Sequence, residues 1–539
     1  MWIVVFWRLG YKSLLDPDEA HYAELTREMM QAGNWLVPLL DGKPFIDKPV
    51  LFHWLQGASV MLLGESEFSA RLPSALAALA LFAITRWLGA VLFGAEVGYW
   101  GAIMFATIPA TFALSSIALF DMVFATFLFG AVACLLVAAE RQNRRIEYGG
   151  YALLTLAVMT KGPVALLLIG AFLCAAWISG GALRERIARL RWKRGLASVV
   201  VAASPWFLWM DARFGREFVQ GYILAGNLWY FTQPEVFSGR AISHTFYVRA
   251  FAGAFFPWSA VVVGRGIDIW RNRRTAFEVS PAEKLLWLWT LVVIAFFSVA
   301  RFKLDHYIFP VAPACCLIAA HAWRRAAQEP SRATRATTGS IILIAALLIV
   351  AGSFGGVYLF DLNLELPAVA ILLPFALLIG GTALLSRIVL GGWRIPRTAL
   401  VPVVTLLACY VMGVTVGYPV LEQTRPTATV AKRLRRVAPA DASIGLYRLE
   451  RWRASLRYYV DRPIVRLETP EELMAFVSGD QTVYVVLRRD EYDVLRRGGA
   501  PIREVMRHRA VLGTSGRGLR RQVWGYLIVA KSVRRPPGL

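Results

Sequence analysis

Apolar runs of about 20 residues, the length a helix needs to cross a hydrocarbon core, recur along the first 419 residues of this chain. They lie near 1–15, 72–92, 95–113, 117–139, 148–160, 162–180, 195–211, 246–264, 282–300, 307–323, 339–360, 367–386 and 398–418, about thirteen in all. The expectation is a polytopic α-helical membrane protein. Its charged connections are basic: RQNRR (141–145), RERIARLRWKR (184–194), RGIDIWRNRR (265–274), RRAAQEPSRATR (324–335) and Arg387, Arg394 and Arg397. Each is an even number of spans from the next, so all can share the cytoplasmic side. The alternate loops then face outward, and an odd span count puts the C-terminus outside as well. The net charge of +23 therefore reads as an orientation signal, and a soluble nucleic-acid binder is the wrong inference. Only 18% of residues are charged, against about a quarter in soluble chains.

The first run is short. Fifteen helical residues reach roughly 22 Å at 1.5 Å each, less than the core of about 30 Å, and Arg8 and Lys12 shorten it further. A chain that lacks its natural start is expected to look like this. Two outward regions are too long to be turns. Residues 16–71 contain AHYAELTREMMQAG and VLFHWLQGASVMLLG, which suit helices lying along the membrane surface. Residues 212–245 are rich in aromatics and glycine, and a loop of this length is expected to cover a site. The membrane part thus runs over 1–419. From Glu422 the pattern changes: ASIGLYRL, QTVYVVLR and GYLIVA read as strands, and PEELMAFVSG as a helix. Residues 420–539 form a soluble α/β domain with 24 Lys and Arg against 12 Asp and Glu, a net +12 that suits a phosphate-bearing lipid surface. The bland account is an arginine-rich codon habit.

Five cysteines, Cys134, Cys174, Cys315, Cys316 and Cys409, all sit in apolar stretches without ligand spacing and read as small buried hydrophobes. P-loop, dinucleotide, HExxH and GxSxG patterns are missing from the sequence, which makes an energy-coupled pump a poor fit. The informative polar residues lie at outward loop mouths, where charge near a bilayer is costly. Asp16, Asp18 and Glu19 place three carboxylates within four residues. They suit a divalent cation, a cationic substrate group or acid/base work, or else the capped start of a helix. Asp121 stands among apolar residues near the outer end of a span and needs a partner or ligand. Lys48, Arg71, Lys161, Arg301, Lys303 and His306 line the same side and suit phosphate groups. Snorkelling to headgroups is the plain alternative.

In order, DPDEAHYAELTREMMQAGNW, DGKPFIDKPVLFHWLQ, GESEFSARLPSALAALA, LFDMVFATFLF, TKGPVA and RFKLDHYIFPVAP resemble the polytopic GT-C glycosyltransferases. Within these, they are most similar to the bacterial aminoarabinose transferases that modify lipid A. The likeness runs through about residue 310 at motif level; beyond that it rests on architecture. It implies an enzyme in the bacterial inner membrane whose site and C-terminal domain face the periplasm. The donor would be undecaprenyl phosphate-4-amino-4-deoxy-L-arabinose, the acceptor a lipid A phosphate or other anion, and the outcome resistance to polymyxin and cationic peptides. It also implies that Asp18 and Asp121 are the family's essential acids, with Glu19 beside them. Lys48 would grip the carrier phosphate, assisted by Lys161, Arg71, Arg301, Lys303, His306 and Tyr307. No cofactor is certain, and a divalent metal ion stays open. Three positions depart from the pattern: Val50 in KPVL, Asp305 in KLDHY, and Phe45 where an aromatic hydroxyl is often expected. A hydroxyl acceptor, as in protein mannosylation, is the alternative within the enzyme class. A lipid or solute transporter is the alternative outside it.

Overall fold

The computed structural model describes residues 5–229, 245–273, 279–328, 334–361, 366–391, 398–425, 427–449, 453–479, 481–515 and 521–533. By length and composition, eight helices can cross a membrane, or ten if two bent pairs each count as one span. The chain is a multi-pass membrane protein. Several of the apolar runs are not single straight helices. The run near 95–113 breaks at Ile108–Pro109 with a 66° bend, and the one near 246–264 bends by 118° before Trp258. Val164–Ile178 is apolar but only 15 residues long.

Before the first long span comes α1 (Asp18–Gln31), then a two-residue hairpin of β1 (Leu39–Leu40) and β2 (Lys43–Pro44), then α2 (Leu51–Leu63). Span α3 (Glu67–Phe93) starts in a capping box of Ser66 and Ser69. It meets the helix Ala95–Thr107 at Gly98, where a Cβ would strike the α3 backbone at Arg86 and Ala90. Small residues at such crossings let helices approach closely where lipid offers no hydrophobic drive. Span α4 (Phe120–Arg141) is apolar all round and 89% buried over its spanning window, so it is the centre of the bundle. It is followed by its antiparallel neighbour α5 (Arg144–Lys161), and later by α6 (Trp192–Phe214). Away from the motifs, buried ion pairs fasten helix ends, as where Arg265 grips Glu283 through two bonds of 2.8 Å.

The C-terminal part begins with α7 (Thr427–Val437), whose Ala428, Val430, Ala431 and Leu434 turn inward. Then come β3 (Ser443–Tyr447), α8 (Arg453–Val460), β4 (Ile464–Leu467), α9 (Pro470–Val477), β5 (Val483–Arg488), β6 (Ile502–Ser515) and β7 (Arg521–Ser532). The sheet order is β4-β3-β5-β7-β6, parallel for the first three strands and antiparallel beyond. The helical crossovers α8 and α9 permit the parallel pairs. One face of the sheet packs on α9, with Leu473 and Val477. The other buries Ile444, Leu446 and Val486 together with α7, α8 and residues Leu14, Ala20, Ala23, Ala70 and Ala118 of the membrane part. The domain is thus seated on the loop end of the bundle, on the same side as residues 16–71.

That seating clamps α1 between the bundle and α8. Arg457 of α8 binds Glu24 at 3.0 Å, and also Glu28 and Asp41. Arg27 of α1 returns a bond of 2.8 Å to the Tyr458 carbonyl and an ion pair of 3.1 Å to Asp461. Helix α2 is tied to α1 through Thr26 and His53 at 2.8 Å, while its tip, Met61 to Leu63, is exposed.

Candidate active site

The three clustered acids have three different partners. Pro17 occupies the N-cap of α1 and no side chain caps it, so the capping account does not hold. Asp16 instead accepts from the Ser455 backbone N–H at 2.7 Å and from its hydroxyl. Glu19 is buried and takes the Arg71 guanidinium at 2.6 and 3.0 Å, together with the N–H groups of Leu15 and Ala118, each at 2.8 Å. Arg71 spends its remaining nitrogens on the carbonyls of Leu9, Lys12 and Ser13. Glu19 and Arg71 therefore saturate each other. The expectation that one is catalytic and the other holds phosphate is corrected: neither has a free donor or acceptor for substrate. Burial opposes ionisation of Glu19, but Arg71 more than offsets this and holds the carboxyl below its usual range.

Asp18 is the acid left over. It is exposed, and it makes no hydrogen bond or ion pair among the described residues. Protein around it removes part of its water, and with Asp121 and Asp47 nearby its carboxyl is pushed above its usual range, against the pull of His306.

Asp121 sits in the first turn of α4 and Lys161 in the last turn of α5. The two helices run antiparallel, so these ends adjoin, and each charge sits where its helix dipole favours it. Lys161 Nζ lies 2.6 Å from Asp121 Oδ1, and 4.6 Å from the Tyr307 ring centre. The other Asp121 oxygen faces His306 Nε2 at 3.7 Å, and His306 Nδ1 lies 3.4 Å from Asp305. The added carboxylate of KLDHY is thus a partner of His306. Lys161 is thus ion-paired with Asp121.

Lys48 pairs with its neighbour Asp47 at 2.8 Å. Both lie within electrostatic reach of Lys161, and Asp47 also of Asp18. Asp18, Asp47, Lys48, Asp121, Lys161 and His306 thus gather at one place. Lys303 is buried with its ammonium on the Ala300 carbonyl, so it braces a turn rather than presenting charge. Arg301 is exposed, with no partner among the described residues. Sequence reasoning missed Asp47, although an acid beside the lysine of DKP is a visible signal; residues 219–228 belong to the 212–245 loop expected to cover a site. Part of that loop, 230–244, lies outside the described residues. Among the described residues no three His, Cys, Asp or Glu side chains gather as metal ligands.

Residues 47–209 match the family described as dolichyl-phosphate-mannose-protein mannosyltransferase. The chain is 28% identical over 327 residues to the undecaprenyl phosphate-alpha-4-amino-4-deoxy-L-arabinose arabinosyl transferase of Enterobacter sp. (strain 638), covering 58% of this chain and 56% of that protein. The same-named protein of Serratia proteamaculans (strain 568) is 26% identical over 393 residues, 68% of each. The chain spans 56% and 60% of the first two curated relatives it matches. The crystal structure of ArnT from Cupriavidus metallidurans bound to undecaprenyl phosphate aligns with a TM-score of 0.73 at 20% identity, over 98% of this chain and 96% of that one. The chain has the fold of that crystal structure, and its sequence is similar to the undecaprenyl phosphate-aminoarabinose arabinosyl transferases.

Proposed function

We propose that the chain transfers 4-amino-4-deoxy-L-arabinose from undecaprenyl phosphate to a lipid A phosphate at the periplasmic face of a bacterial inner membrane, giving resistance to cationic peptides. Residues 1–419 would carry the site and residues 420–539 would cover it. The observation that carries the reading is an exposed, unpaired carboxylate, Asp18, beside the Asp47–Lys48 pair and the Asp121–Lys161–His306 group. The relatives named for this reaction supply the substrate class.

The chemistry follows from charge. The bond from the anomeric carbon to a carrier phosphate oxygen breaks, and its electron pair stays on the carrier. An acceptor phosphate oxygen forms the new bond to that carbon. A phosphate acceptor is already anionic, so no strong base is required. Negative charge grows on the carrier phosphate, and Lys48 stabilises it increasingly toward the transition state. Asp18 attracts the sugar's ammonium. Asp121, held by Lys161 and His306, fixes the geometry of the opposite wall.

The test is transfer by the purified chain from the undecaprenyl phosphate-linked sugar to lipid A, read as the mass of one aminopentose. Lys48→Ala should lose on the order of a hundredfold in rate, and Lys48→Arg should recover only part. A wild-type rate for Lys48→Ala, with unchanged donor dependence, sinks the reading. The mannosyltransferase family match favours one second reading, a hydroxyl acceptor with Asp18 as general base. Sugar appearing on a protein or glycan hydroxyl, with lipid A untouched, would select it.

A further inference from the structure

One buried group near Lys48 has no task in the fold. Tyr222 belongs to Val219–Leu228, a π-helical segment beyond α6. Such wide turns cluster at functional sites. The side chain is 2% exposed, its ring stacked on Phe218 at 5.2 Å and edge-on to Trp206 at 6.3 Å. Among the described residues its hydroxyl has no well-formed hydrogen bond. The Asn227 amide is close by, but its nitrogen donates to the Tyr222 backbone carbonyl at 2.7 Å. A buried hydroxyl left unpaired is destabilising, and each one in a native fold calls for a reason.

Its position supplies one. The hydroxyl fills the notch left by Gly162, where any Cβ would overlap it, and Gly162 directly follows Lys161. The same segment also lies on the residues leading to Lys48. A Cβ on Gly221 would stand 3.4 Å from the Ile46 carbonyl oxygen, and one on Gly226 3.2 Å from that of Asp47. The ring shares a small core with Ile46 and Val50, two residues to either side of Lys48. The phenol is therefore wedged between the two lysine-bearing segments. Burial, with the Asp47 carboxylate nearby, pushes it above its ordinary range, so at neutral pH it keeps its proton.

Resting on the carrier-site reading above, we propose that the Tyr222 hydroxyl is a further ligand of the carrier phosphate, donating a hydrogen bond to the phosphate that Lys48 holds. The buried hydroxyl is then a preformed donor.

Tyr222→Phe removes the hydroxyl and keeps the ring. The experiment uses the purified full chain in detergent with undecaprenyl phosphate as the probe, and reads both the affinity and the thermal midpoint without lipid. We expect binding about tenfold weaker or more, with a midpoint that stays or rises because an unsatisfied group has gone. Affinity within twofold of wild type overturns the inference. So does weaker binding with a lowered midpoint, which assigns the hydroxyl to folding. Lys48→Ala is measured alongside. Binding lost in Lys48→Ala but kept in Tyr222→Phe removes Tyr222 alone. Binding kept in Lys48→Ala removes the carrier-site reading itself.

Discussion

Glu19 and Arg71 meet where water is excluded on every side. Deleting one partner strands the other's charge, which costs about 3–5 kcal/mol. Glu19→Gln should therefore lower the thermal midpoint of the purified protein, and a variant as stable as wild type would return Glu19 to the list of substrate groups. Because Arg71 holds the folded carboxyl low, the stabilisation is complete above the unfolded value of about 4.3. It is lost as pH falls through the lower folded value. Asp18, one residue earlier, behaves oppositely. Its carboxyl is raised, so the charged form disappears as pH falls through a value above the ordinary one of about 3.9. Sugar transfer should show an acid limb there, and Asp18→Asn should abolish transfer while leaving the protein well folded. Full transfer by Asp18→Asn would end its role. The sequence placed both acids at the site but could not tell them apart. Glu19 finds its guanidinium 52 residues away, a distance that only the packing of α3 against the segment before α1 closes. Asp121 stood out because an isolated charge in apolar sequence demands an explanation by itself, and Lys48 through its DKP motif.

At the scale of elements, α1 shows what a local reading cannot see. A short helix with charges on several faces looks like a surface helix when its neighbours are unknown. Here the charges Glu24, Arg27 and Glu28 meet Arg457, Tyr458 and Asp461, from a domain more than 400 residues downstream. No local period encodes that. Arg457→Ala should leave Glu24 buried without this partner and loosen α1. Amide exchange across Asp18–Gln31 should then rise well above that of α4. If exchange in α1 stays at the wild-type level, the clamp adds nothing that the bundle does not already supply. The strands and helices of the C-terminal domain were easier to read, since alternation and a Pro–Gly-bounded segment are local signals.

For the whole molecule, the seating of the sheet on Leu14, Ala20 and Ala70 ties the C-terminal domain to the side that carries residues 16–71. With Cys174, the exposed native cysteine, replaced by Ser, Ser478→Cys should react with an impermeant thiol reagent in intact spheroplasts. Reaction only after lysis would invert the topology and the proposed function with it. Hydropathy counts apolar residues and does not see a bend. The chain turns by 118° between two helices that one window joins.

The clamp on α1 also bears on how this protein can be recombined. The domain from Thr427 onward contributes Ser455 to the loop before Asp18 and Arg457 to the helix after it. It is not a detachable module hung from the last span. A chimera that grafts this domain from a relative inherits one half of a lock whose other half is in the first 41 residues. Such a graft should work only when residues 13–41 travel with it.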